Sequence, residues 1–216
     1  MSKWNKKKIL RVSFQYLRKI YHYFQFARLK NKDFSLIANN CNGGFILHDL
    51  GLKFRSPFVN LYINPDDYIL LLENLPSMMN LELMFIESDK TYPVAKLGEV
   101  KIYFVHYKSE KEAFEKWNER RERIDYNNLY IIYTERPGTS YEVLKRFNNL
   151  PYSNKLALVA SDYPELESCR KIKGCVENGI LGDIYLYKSE NSIFRFYNQF
   201  DFVDWFNKKK TCVLFG

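Results

Sequence analysis

The chain has 216 residues, 46% hydrophobic and 17% aromatic, enough to bury a core in a single domain and too apolar for an unstructured polypeptide. Its formal charge of +8 is not spread over the molecule, because residues 1–32 hold ten Lys and Arg and no acid, leaving 23 of the 33 basic side chains against all 25 acidic ones. The body is therefore nearly neutral, which disfavours nucleic acid as a partner.

No run approaches the roughly 18 to 20 apolar residues of a membrane-spanning helix, and the N-terminus lacks the apolar core and cleavage site of a signal peptide. A cytoplasmic protein is expected. The cysteines Cys41, Cys169, Cys175 and Cys212 show no CxxC spacing and stand apart from His22, His48 and His106. Free thiols and no metal site are the expectation, and nothing names a cofactor.

In chain order, residues 6–30 lack Gly and Pro and place Leu10, Phe14, Leu17, Tyr21 and Phe24 at spacings of three and four, predicting a basic amphipathic helix. Residues 1–32 thus read as an arm, and 33–216 as one α/β domain. The arm suits the anionic inner face of a membrane, or the surface of its own body or of a second subunit in a homo-oligomer.

Phe34 to Ala38 reads as a strand and Phe45 to Leu50 as a helix stopped by Gly51. Phe58 to Ile63 is a second strand, and Asn64-Pro65-Asp66-Asp67 opens a helix to about Leu75. Leu81 to Ile86 and Val94 to Tyr107 read as strands, the latter with a hairpin at Leu97-Gly98-Glu99. Ser109 with Glu112 opens a helix to about Ile124, and Thr139 with Glu142 another to Asn148. Leu129 to Tyr133, Lys155 to Ala160 and Ile184 to Tyr187 complete the strands. This alternation predicts a three-layer Rossmann-like α/β fold with a largely parallel sheet.

In such a sheet the residues just past the strands form the functional edge. The turn Asn39-Asn40-Cys41-Asn42-Gly43-Gly44 is the leading candidate. Its carboxamides suit sugar hydroxyls or a carbonyl, and its glycines allow a phosphate to approach the helix N-terminus. Cys41 is a candidate nucleophile, with His106 as its general base if the two strands are neighbours, and His48 sits one turn into the following helix. Lys108 and Asp162, past later strands, complete the candidate binding residues. The plainer alternative is that the asparagines hold the turn, Cys41 fills it and His106 caps a carbonyl.

The blocks Ile37 to Gly44, Leu50-Gly51-Leu52, Ser56 to Leu61, Tyr92 to Gly98, His106 to Ser109 and Lys116 to Arg121 together resemble a bacterial family commonly labelled exopolysaccharide biosynthesis protein. The resemblance covers about residues 33–210 and implies an α/β domain working in capsule or surface-glycan assembly, without supplying catalytic residues. The Asn40-Cys41 pair is also similar to that of capsule enzymes that bind an acyl carrier such as coenzyme A. The expectation is a transferase acting on a glycan precursor or an acyl- or nucleotide-activated donor at the inner membrane face. The alternative is a non-catalytic accessory protein of the same assembly.

Overall fold

The computed structural model describes residues 3–208, with side chains from residue 10 onward; Cys212 lies outside the described residues. In chain order come α1 (Lys3–Arg28), β1 (Ser35–Ala38), α2 (Asn42–Asp49), β2 (Tyr62–Ile63), α3 (Pro65–Glu73), α4 (Leu75–Met79), β3 (Leu83–Ile86), β4 (Val94–Leu97) and β5 (Val100–Tyr103). They are followed by α5 (Glu110–Arg121), β6 (Leu129–Thr134), α6 (Tyr141–Asn149), β7 (Lys155–Val159), β8 (Cys169–Lys171), the small hairpin β9 (Val176–Glu177) and β10 (Ile180–Leu181), and α7 (Phe202–Asn207).

A four-stranded parallel sheet of order β1-β6-β7-β8 forms the middle layer of a mixed α/β fold. Its strands read as near-continuous apolar runs because both faces are covered. Ile37, Ile131, Tyr133, Ala157 and Val159 point into one core, shared with α3, α6 and Trp117. Leu36, Ala38, Tyr130, Ile132, Leu156 and Leu158 point into the other, shared with α2, α7 and Leu29 just after α1.

The central apolar runs do not join this sheet. They form a second, antiparallel sheet of order β2-β5-β4-β3. The physical reason is the two-residue turn Gly98-Glu99, with Gly98 at φ 60, which pairs Leu97 with Val100 and can connect only antiparallel neighbours. The expected strand over Phe58 to Ile63 shrinks to Tyr62–Ile63, the residues before it forming a buried loop. Ile184 to Tyr187 is not a strand, its one ladder contact being an isolated bridge from Tyr187 to Arg195.

Helix ends follow local chemistry with small shifts. Gly51, at φ 62, ends α2 by donating to the His48 carbonyl, while Leu52 donates to that of Leu47, satisfying carbonyls that the helix leaves open. Ser109 caps α5 by accepting from Glu112, whose carboxylate accepts from the amide of Lys108. At α6 the cap is Ser140, not Thr139. The Thr139 hydroxyl instead meets Tyr133 and the Arg136 amide.

The C-terminal half of α1 is docked on the body. Arg18 donates to the carbonyls of Ser192 and Glu190 and lies 3.6 Å above the Tyr187 ring, and Arg28 pairs with Asp201 at 2.6 Å. Among the described residues no helix is long and apolar enough to cross a membrane.

Candidate active site at the end of the parallel sheet

The turn after β1 is held from three sides. The Asn39 carboxamide donates to the Thr134 carbonyl and accepts from the Thr134 amide, both at 2.9 Å, while its own carbonyl accepts from Ile63. The Asn40 carboxamide oxygen accepts from the amide of Asn42, a side-chain turn that bends the chain into α2. Asn42 donates to the Thr134 hydroxyl at 3.2 Å. All three side chains are buried, yet among the described residues the nitrogen of the Asn40 carboxamide and the oxygen of the Asn42 carboxamide meet no hydrogen-bond partner.

Gly43 is there for packing. A Cβ on it would fall 2.7 Å from the Cβ of Ala38, so the glycine lets α2 press against β1. Gly44 is under no such constraint, since a Cβ there would lie 3.5 Å from Val59, an ordinary contact.

Cys41 is half-buried, with its sulfur 3.9 Å from the Leu61 carbonyl. Burial pushes its thiol up to about 11, against a smaller opposing pull from Arg136. The thiol is thus protonated at neutral pH, and the first turn of α2 does not make it a thiolate.

His106 is exposed, and the strand it follows, β5, belongs to the antiparallel sheet. The neighbour of β1 is β6, so the strand pairing that would join His106 to Cys41 does not exist. The next residue, Tyr107, is buried. Its hydroxyl donates to the Val59 carbonyl and accepts from Arg120, burial raises its pKa, and Cys41 adds a smaller upward push.

His48 is exposed and 3.5 Å from Asp49, in a groove lined by Tyr16, His22, Tyr187 and Arg195 of α1 and the C-terminal segment. Lys108 lies in a groove with Lys90 and Tyr92, and Asp162 pairs with Lys171 at 2.8 Å. Neither enters the hydrogen-bond network of the turn.

Other residues do reach the turn. Arg136, just past β6, donates to the carbonyls of Leu181 and Gly182 and pairs with Asp183 at 3.0 Å. The other oxygen of Asp183 accepts from the Tyr185 hydroxyl at 2.9 Å, and the Tyr185 ring stacks on Phe45 of α2 at 4.4 Å. Both Arg136 and Asp183 act electrostatically on Cys41. Glu135, buried, ties the sheet edge together by accepting from the amides of Ala160 and Leu181. Arg136 and Glu135 were visible as residues past a strand. Tyr185 lies within the expected strand Ile184 to Tyr187, and Asp183 stands just before that strand, where no strand-end signal marks it.

A second charged cluster sits where α1 meets the body. Asp49 accepts from Arg195 at 2.6 and 3.2 Å and from the Tyr197 hydroxyl, with His22 at 3.6 Å. Burial would raise the Asp49 carboxyl, but the bonds from Arg195 and Tyr197 outweigh it and hold the pKa below its usual value. The adjoining cavity of about 130 Å³, lined by Tyr21, His22, Arg28, Asp49 and Tyr197, is small beside the few hundred Å³ of ordinary ligand pockets. Its charged groups are already paired in holding α1. Among the described residues no group of three or more His, Cys, Asp or Glu could hold a metal ion.

A family model described as "Domain of unknown function (DUF1919)" matches residues 12–207, which take in most of α1, both sheets and the turn. A Haemophilus influenzae protein named "Uncharacterized protein" is 41% identical over 180 residues, which cover 83% of this chain and 87% of that protein. With the match running almost from end to end of the described fold, the chain belongs to the DUF1919 family.

Proposed function

We propose that the protein is a transferase of exopolysaccharide or capsule assembly that binds a glycan or its activated precursor over the turn from Asn39 to Gly44. The observation that carries the reading is the pair of unpartnered polar atoms, one donor on Asn40 and one acceptor on Asn42, at the carboxyl edge of the parallel sheet. Leaving such a group unpaired costs about 1 to 3 kcal/mol, a cost that points to a role beyond folding. A carboxamide donor and a carboxamide acceptor are the two roles that a sugar hydroxyl answers, and Phe45, the residue after the turn, stacks with Tyr185 into the kind of apolar surface that sugar faces favour. Surface-glycan assembly enters from the resemblance of the sequence blocks that include this turn.

In this reading Cys41 acts as a neutral thiol that shapes the site. The ionisable group best placed to take a proton from an acceptor hydroxyl is Asp183, half-exposed and oriented by Arg136 and Tyr185. A thermal-shift panel of nucleotide sugars, lipid-linked sugars and acyl-coenzyme A thioesters tests the reading. Stabilisation by one class, reduced in Asp183→Asn, is the expected outcome; no shift with any class counts against it. The second reading, a non-catalytic accessory protein, is favoured by the apolar outward side of α1.

A further inference from the structure

The helix α1 is turned inside out. Phe14, Arg18, Tyr21, His22, Gln25 and Phe26 are its half-buried positions among the described side chains, and polar members carry contacts to the body: Arg18 to Ser192 and Glu190, and His22 to Asp49. The opposite side bears Val12 at 57% exposure, Tyr16 at 67%, Tyr23 at 69% and Phe24 at 61%, with Leu17 and Ile20 between them. At 100° per residue these six lie along one side of the helix, with Val12 and Tyr16 at its margin also lining the groove beside His48. A helix built to face water would carry its polar residues there.

We propose that this outward face of α1 docks on an anionic lipid bilayer, with the helix lying in the plane of the headgroups. The charge decides the occupant. Residues 1–32 hold ten basic side chains and no acidic one, so pairing two copies of α1 would set like charges together, whereas an anionic surface meets the complementary sign. Arg11 and Lys19 are exposed along the same helix, and Lys3, Lys6, Lys7 and Lys8 crowd its first turns in the sequence. Tyr16 and Tyr23 combine an apolar ring with a polar tip, which suits the headgroup boundary. The inference is independent of the chemistry at the turn.

The test is co-sedimentation of the full chain with vesicles of phosphatidylcholine alone and of phosphatidylcholine mixed equally with phosphatidylglycerol. Binding to the anionic vesicles is expected, weakened about tenfold or more by Tyr16→Gln/Ile20→Gln/Tyr23→Gln/Phe24→Gln and by a rise in salt to about 0.5 M. Glutamine keeps the helix propensity, so circular dichroism and the thermal midpoint should match those of the parent. As a second variant, Arg11→Glu/Lys19→Glu should weaken binding with the apolar face intact. The inference is overturned by no binding to anionic vesicles, by equal binding to neutral ones, or by binding that the four glutamines leave unchanged. A dimer in sedimentation equilibrium that those glutamines dissociate, without vesicle binding, overturns it in favour of a second copy.

Discussion

The side chain of Asn39 pairs with the backbone of Thr134, donating to its carbonyl and accepting from its amide. The carboxamide thereby splices the turn to the central strand of the sheet. Asn39→Ala leaves both backbone groups of a fully buried residue unpaired, a loss of about 2 to 6 kcal/mol at roughly 1 to 3 kcal/mol each. Urea unfolding measures it. A midpoint unchanged from the parent would show that the splice is not needed.

The contact between α2 and β1 depends on Gly43. Because an added Cβ would lie 2.7 Å from that of Ala38, Gly43→Ala should destabilise by about 1 to 3 kcal/mol through overpacking. Ala38→Gly in the same chain removes the atom it meets and should recover part of the loss. Gly44→Ala should be close to neutral, and equal losses at both glycines in thermal unfolding would contradict this packing account.

Two acid-side windows of stability follow from the α1 junction. Asp49 has a folded pKa below its ordinary 3.8, so its contribution is complete above that value and is lost as pH falls through the lower folded one. Asp49→Asn should cost about 3 to 5 kcal/mol near neutrality by stranding Arg195, with the gap to the parent closing below about pH 3.8. His22 has a pKa lowered chiefly by burial, against a raising contribution from Asp49. The unfolded chain therefore takes up this proton first, and stability falls as pH drops below 6.5. His22→Gln should flatten the slope between about pH 7 and 5, and an unaltered slope would remove His22 from the account.

Burial of Cys41 sets its reactivity. With its pKa near 11 against an ordinary 9.0, the thiolate fraction at pH 8 is about a hundredfold below that of a free thiol. Alkylation by iodoacetamide, followed at the Cys41 peptide by mass spectrometry, should be slower by about that factor. Fast labelling at Cys41 would restore the case for a nucleophile.

Much of the fold was legible because local signals and tertiary packing agree. The apolar runs at β1, β6 and β7 mark a sheet buried on both faces, and Gly51 and Ser109 end and begin helices where their chemistry predicts. The central strands were misplaced because an apolar run does not carry the identity of its partner; the Gly98 turn signalled a hairpin, but not that Tyr62–Ile63 would pair with it as a separate sheet. That separation removed the strand pairing assumed between β1 and the strand before His106. At the site, the turn was visible as a polar break after a strand, whereas Asp183 and Tyr185 reach it from 139 or more residues away through Arg136 and Phe45, contacts without sequence periodicity.

Asp183 and Tyr185 lie beside the turn without being part of the buried core, so they separate ligand handling from folding. In equilibrium titration and turnover assays with nucleotide sugars, lipid-linked sugars and acyl-coenzyme A thioesters, one donor class should bind and react. Asp183→Asn should then lower turnover by about a hundredfold or more, within the range that general-base removal gives, with the unfolding midpoint preserved. Absence of binding by every class, or turnover that survives both Asp183→Asn and Tyr185→Phe, would contradict a transferase site at the turn.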